Sequence, residues 1–76
     1  MTLKDLNELI NNLKANGLTD NQMQITFLLM YRNNKISYSE LKLLLAKINY
    51  SIEEEIDNLT EEERKEIVNE MFKGLE

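Results

Sequence analysis

Leu3, Leu6, Leu9, Ile10 and Leu13 recur at intervals of three and four, the spacing that places apolar side chains on one face of an α-helix. Thr2 stands where its hydroxyl can cap the first turn, and Gly17 stands where a helix stops. Thr19 can cap a second helix, Asp20 to about Asn33, which carries Met23, Ile25, Phe27, Leu28, Leu29, Met30 and Tyr31. After the break Asn33-Asn34-Lys35, Ser37 and Glu40 have capping-box spacing for a third helix, Tyr38 to Ile48. In such a box the hydroxyl accepts from the amide three residues on, and that residue's side chain accepts from the capping amide. Ser51 with Glu54 repeats the signature for a short fourth helix through Leu59. Thr60 with Glu63 repeats it again for a fifth, Glu61 to about Lys73. The stripe of this last helix is Ile67, Val68, Met71, Phe72 and Leu75, and Gly74 is placed as its stop.

No stretch alternates cleanly between apolar and polar residues for long, and no Asn-Gly or Asp-Gly hairpin turn occurs. The prediction is an all-α fold: a compact bundle of four to five short helices forming one domain over residues 1–76. The second and third helices are apolar almost all round. Such helices are either a centrally buried hairpin or are sealed by another chain. Homodimerisation through exposed parts of these two helices is therefore one expected partnership.

Composition narrows the chemistry. Seventy-six residues make a small domain, and a chain of about 60 residues buries only about 60% of its unfolded surface. Cysteine is absent, so neither a disulfide nor a thiolate metal site staples the fold. Histidine is absent as well, which removes the commonest general base and transition-metal ligand. Ser37, Ser39 and Ser51 lie near helix starts, where capping is the expected task, and no Gly-rich phosphate loop exists. Two carboxylates can hydrolyse a glycoside, but a bundle of this size leaves little room for a saccharide cleft. The expectation is a protein without catalytic residues, cofactor or metal. The opening residues carry acids where a signal peptide needs an apolar stretch. The run Phe27–Tyr31 is far short of the roughly 20 residues that span a bilayer. A cytoplasmic, membrane-free protein is expected. Ten asparagines alongside abundant Ile, Lys and Glu fit the codon usage of an AT-rich genome, a phage's included.

Charge adds an asymmetry. Residues 51–76 hold ten of the fourteen carboxylates against three cations, whereas residues 1–50 hold four against six. Helix design explains much of this. Glu53, Glu54 and Glu55 come after Ser51, and Glu61, Glu62 and Glu63 come after Thr60. Each carboxylate in a first turn stabilises by roughly 0.3–1 kcal/mol against the positive end of the helix dipole. Glu61 with Lys65 and Glu70 with Lys73 are spaced as ordinary surface pairs. The functional reading is that the two turns, joined tightly at Leu59-Thr60, form one acidic patch that steers toward a basic protein surface. Its residues would be Glu53, Glu54, Asp57, Glu61 and Glu62, with Tyr50 at the edge. On this reading the protein is a small non-catalytic regulator or inhibitor, one version of which imitates nucleic acid on a basic partner.

Two alternatives stand beside it. Arg32, Lys35, Lys42 and Lys47 surround the second turn and third helix, as a minimal DNA-binding helix-turn-helix regulator requires. A sequence pI ≈ 4.7 opposes duplex binding, which needs several phosphates neutralised. The other alternative is a structural or assembly protein whose exposed apolar surface makes the contacts.

Two stretches resemble known families. Residues 18–59, from Leu18-Thr19 with Gln22 through Ile36-Ser37-Tyr38-Ser39-Glu40-Leu41 to Ser51-Ile52 and Ile56-Asp57-Asn58-Leu59, resemble the helical core of MarR-type winged-helix regulators. That resemblance implies a helix-turn-helix with the segment after Ser51 as the recognition helix. No residues remain between Leu59 and Thr60 for a β-wing, and Glu53-Glu54-Glu55 stand where phosphate and base contacts favour cations and amides. Residues 29–40 resemble an EF-hand loop, with Ile36, Glu40 and Leu41 matching its second half. The acidic ligands of its first and third positions are replaced by Leu29 and Tyr31, and Asn34 stands at the turn glycine, which implies a loop that holds no calcium.

Overall fold

The computed structural model describes residues 2–74, and every one of the expected helical segments is present. The order is α1 (Leu3–Ala15), α2 (Asp20–Arg32), α3 (Tyr38–Lys47), α4 (Glu54–Asp57) and α5 (Glu61–Lys73). The described residues contain no strand. The fold is all-α, as the spacing of apolar residues requires.

Four of the five helices begin with a reciprocal capping box: Thr2 with Asp5, Thr19 with Gln22, Ser37 with Glu40, and Thr60 with Glu63. In the last, the Glu63 amide donates to Thr60 Oγ1 at 3.2 Å and the Thr60 amide to Glu63 Oε1 at 3.0 Å. Ser51 and Glu54 do not form the fifth box. The N-cap of α4 is Glu53, with no side-chain capping bond, and the helix is a single turn that ends at Asp57 rather than running through Leu59.

The first three helices end alike. Past each cap, one residue turns left-handed: Gly17 at φ 85°, Asn34 at φ 60° and Asn49 at φ 66°. The next amide then reaches back to the third-last helical carbonyl: Leu18 to Leu13 at 3.1 Å, Lys35 to Met30 at 2.8 Å, and Tyr50 to Leu45 at 2.9 Å. These bonds satisfy carbonyls that a helix end would otherwise leave bare. Gly74 does not repeat the device; it caps α5 in a right-handed conformation at φ −70°.

The helix α2 packs against both α3 and α5, and α1 lies against α3. Leu6 and Ile10 of α1, Met23, Phe27, Leu28 and Tyr31 of α2, and Leu41, Leu44 and Leu45 of α3 are buried in one cluster with Ile36, Ile48, Val68 and Phe72. Phe27 and Leu44 are wholly inaccessible; burying a side chain of that size contributes about 1.5–3 kcal/mol. The α2–α3 hairpin is thus the centre of the bundle, covered within the chain. Its exposed large apolar residues are Ile25 and Leu43.

The stripe expected on α5 divides. Val68 and Phe72 enter the core, while Ile67 and Met71, each one residue earlier, are 37% and 45% exposed. One residue is about 100° of helical rotation, enough to turn a second apolar row away from α2. Leu75 and Glu76 lie outside the described residues.

Candidate functional site

The second row of α5 borders a cleft of ≈ 330 Å³ between α2, α3, α5 and the strap of chain that runs from Tyr50 to Ile56. Leu28, Leu41, Leu45 and Val68 are buried and floor it. Ile52 and Ile56 of the strap and Ile67 and Met71 of α5 also line it. Two shallower depressions continue the same surface. One is lined by Leu59, Glu63, Glu66, Ile67, Glu70 and Met71, the other by Asn21, Gln24, Ile25, Leu28, Met71 and Phe72. Met71 belongs to all three, so they form one grooved apolar face. Among the described residues the charged side chains along it are Glu53, Glu63, Glu66 and Glu70, with Arg64 as the single cation.

Arg64 holds the strap in place. Its Nε donates to the Ile56 carbonyl at 3.1 Å and its Nη2 to the Asp57 carbonyl at 2.9 Å, which satisfies the end of α4. Its Nη1 pairs with Glu61 at 3.1 Å, and the guanidinium lies 4.0 Å from the centre of the Tyr38 ring. Arginine suits this task because its flat fork can bond and stack together. A second clasp joins α3 to the strap. The Tyr38 hydroxyl donates to Asp57 Oδ1 at 2.6 Å, and Lys42 Nζ donates to Asp57 Oδ2 at 3.0 Å. These two donors, Tyr38 first, hold the Asp57 carboxyl below its usual range. Burial, and then the hydrogen bond to Asp57, pushes Tyr38 up to about 12. At the strap's start the Tyr50 hydroxyl donates to Asn21 Oδ1.

Tyr31, its ring centre 6.1 Å from that of Tyr38, lines the cleft with its hydroxyl buried. Burial, followed by the influence of Glu61, pushes it up to about 12. Glu61 and Arg64 are its charged neighbours.

Comparison with known proteins decides nothing further. No family model, curated protein or solved structure matches the chain.

The residues singled out from the sequence fall into two groups. Asp57 and Glu61 are engaged inside the protein, by Tyr38 with Lys42 and by Arg64, and Tyr50 is engaged by Asn21. Glu53 lines the cleft, whereas Glu54 and Glu62 are exposed and border none of the three depressions. The pairing expected of Glu61 with Lys65 is replaced. Arg64 takes Glu61, and Lys65 donates to Asn34 Oδ1 and lies 5.6 Å from the Tyr31 ring centre. Glu70 and Lys73 do pair, at 3.2 Å. Among the cations considered for DNA, Lys42 is held by Asp57 and Arg32 lies 4.7 Å from the Phe72 ring centre, leaving Lys35 and Lys47 exposed. The segment after Ser51 that corresponds to a recognition helix is the one-turn α4. In the stretch that resembles an EF-hand loop, Leu29 to Arg32 are still helical.

Glu63, Glu66, Ile67, Glu70 and Met71 do not stand out as a site in the sequence. Their spacing at three and four carries the signal: acids beside an apolar row on one helix face. Among the described residues no three acidic side chains are grouped as a metal cage, and no helix is long and apolar enough to cross a membrane.

Proposed function

We propose that the protein is a non-catalytic regulator or inhibitor that binds another protein, using its acidic C-terminal surface against a basic partner. One observation carries this reading: the apolar row Ile67–Met71 is left open on α5 and is edged by Glu63, Glu66 and Glu70. Exposed large apolar side chains beside a single sign of charge combine contact area with electrostatic steering. Glu53 and Glu66 enter no ion pair among the described residues, so their charge is available to a partner.

The test is affinity capture from the native host by wild-type protein and by a Glu66→Lys, Glu70→Lys variant, with melting curves as a folding control. The reading expects basic proteins on the wild type and their loss on the variant at unchanged helicity. Identical capture by both proteins sinks it. A salt-dependent shift of duplex DNA that depends on Lys42 and Lys47 would instead select the DNA-binding alternative.

A further inference from the structure

We infer that the cleft and its two flanking depressions receive one amphipathic helix of the partner, its apolar side turned to Ile67 and Met71 and its flanks carrying Lys or Arg. This rests on the protein-binding reading above and names the shape and chemistry of the bound segment. Helices are captured in apolar grooves through anchors repeating at three, four and seven residues. Three connected depressions that share Met71 offer successive seats for such anchors. Methionine suits this position, since its unbranched thioether adapts to whichever apolar side chain arrives.

Charge selects the helix among possible occupants. Glu53 lines the cleft, and Glu63, Glu66 and Glu70 line the depression that shares Ile67 and Met71 with it. A helix with an apolar stripe between cationic flanks meets the apolar row and the carboxylates beside it. A second copy laid on the same face by a twofold axis would set the two glutamate rows against each other. An uncharged lipid chain would fill the cleft and leave the glutamates without a role.

The experiment uses fluorescein-labelled synthetic peptides of about 18 residues, roughly 27 Å as a helix. One is a Leu/Lys sequence with a single apolar face, one has the same composition scrambled, and one has Glu in place of Lys. Fluorescence anisotropy on the full chain should give affinity for the amphipathic Lys peptide at least about tenfold above that for the other two. The Ile67→Ser, Met71→Ser variant, altered at exposed positions, and the Glu66→Lys, Glu70→Lys variant should each lose about tenfold. Methyl NMR shifts should centre on Ile67 and Met71. Equal binding of the scrambled Lys peptide, lost only on glutamate reversal, overturns the helix groove and leaves the acidic-surface reading standing. No binding of either Lys peptide at low salt overturns both. Dodecanoate shifting the same methyls while no peptide binds, or a dimer in sedimentation that protects them, assigns the face to another occupant and likewise overturns the inference.

Discussion

Ser51 and Thr60 each have a glutamate three residues later, yet only Thr60 opens a capped helix. The difference lies in the residues downstream of each start. Past Thr60, thirteen residues continue as α5 and place Val68 and Phe72 in the core. Past Ser51, the apolar residues Ile52 and Ile56 form the wall of the cleft, and the next helix start arrives before a second turn can form. Local capping contributes only about 0.5–2 kcal/mol, so a box closes where packing extends the helix behind it. Where packing bends the chain into a strap, other groups must satisfy the backbone. At α4 that group is Arg64, reaching over from the neighbouring helix.

The largest expected effect comes from removing that substitute. Arg64→Ala strips two carbonyls of their donor and should cost about 1.5–3 kcal/mol, the range for hydrogen bonds to a charged group. Urea denaturation measures the loss, and amide exchange should quicken chiefly at residues 54–59. Arg64→Lys keeps charge but not the fork, so it should restore less than half. Uniform exchange along the chain would show that the strap does not depend on Arg64.

Next in size, Thr60→Ala should cost about 1 kcal/mol while Ser51→Ala stays within about 0.5 kcal/mol. Equal costs from the same denaturation measurement would erase the distinction between the two starts.

Acid separates the regions again. The Thr60 amide holds Glu63 below its ordinary 4.5, and Tyr38 and then Lys42 hold Asp57 below its ordinary 3.8. A carboxyl whose folded value is depressed stabilises fully above its unfolded value and loses that contribution as pH falls through the folded one. Melting temperature should therefore decline below pH 4.5 for Glu63 and below pH 3.8 for Asp57. Glu63→Gln should flatten the first part of the decline and Asp57→Asn the second. A profile unchanged by either variant would dismiss the assignment.

A smaller effect is a gain. Glu53 is an N-cap with extended backbone, φ −62° and ψ 141°, but without a side-chain bond. Glu53→Asp shortens the carboxylate to capping length without changing charge, and should add about 0.5 kcal/mol by the same denaturation assay. No gain would mean that the strap, not the missing cap, limits α4.

Much of this arrangement is legible in the chain. Apolar spacing places five helical segments, and four of the starts lie at the residues their hydroxyls mark. Three details are not legible, for physical reasons. Asn34 and Asn49 close helices in a glycine-like conformation that asparagine tolerates without announcing it. The α5 stripe is broader than α2 can cover, and periodicity cannot tell a buried row from an open one. The ten clustered acids look like a single patch along the chain, but side-chain reach divides them. Asp57, Glu61, Glu63 and Glu70 meet internal donors, while Glu53 and Glu66 enter no ion pair among the described residues.

The three left-handed closures also bear on how quickly the molecule assembles. The helices α1, α2 and α3 each carry a start and a stop made from residues at most five apart in sequence. Such ends can be searched without closing long loops, and chains dominated by local contacts fold in about microseconds to milliseconds. Joining α5 to the rest requires distant partners, Lys65 with Asn34 among them. If α5 docks after the barrier, substitutions along it speed unfolding, and those within the α2–α3 hairpin slow folding. Stopped-flow kinetics should show that division, making the helix that presents the groove also the last to find its place.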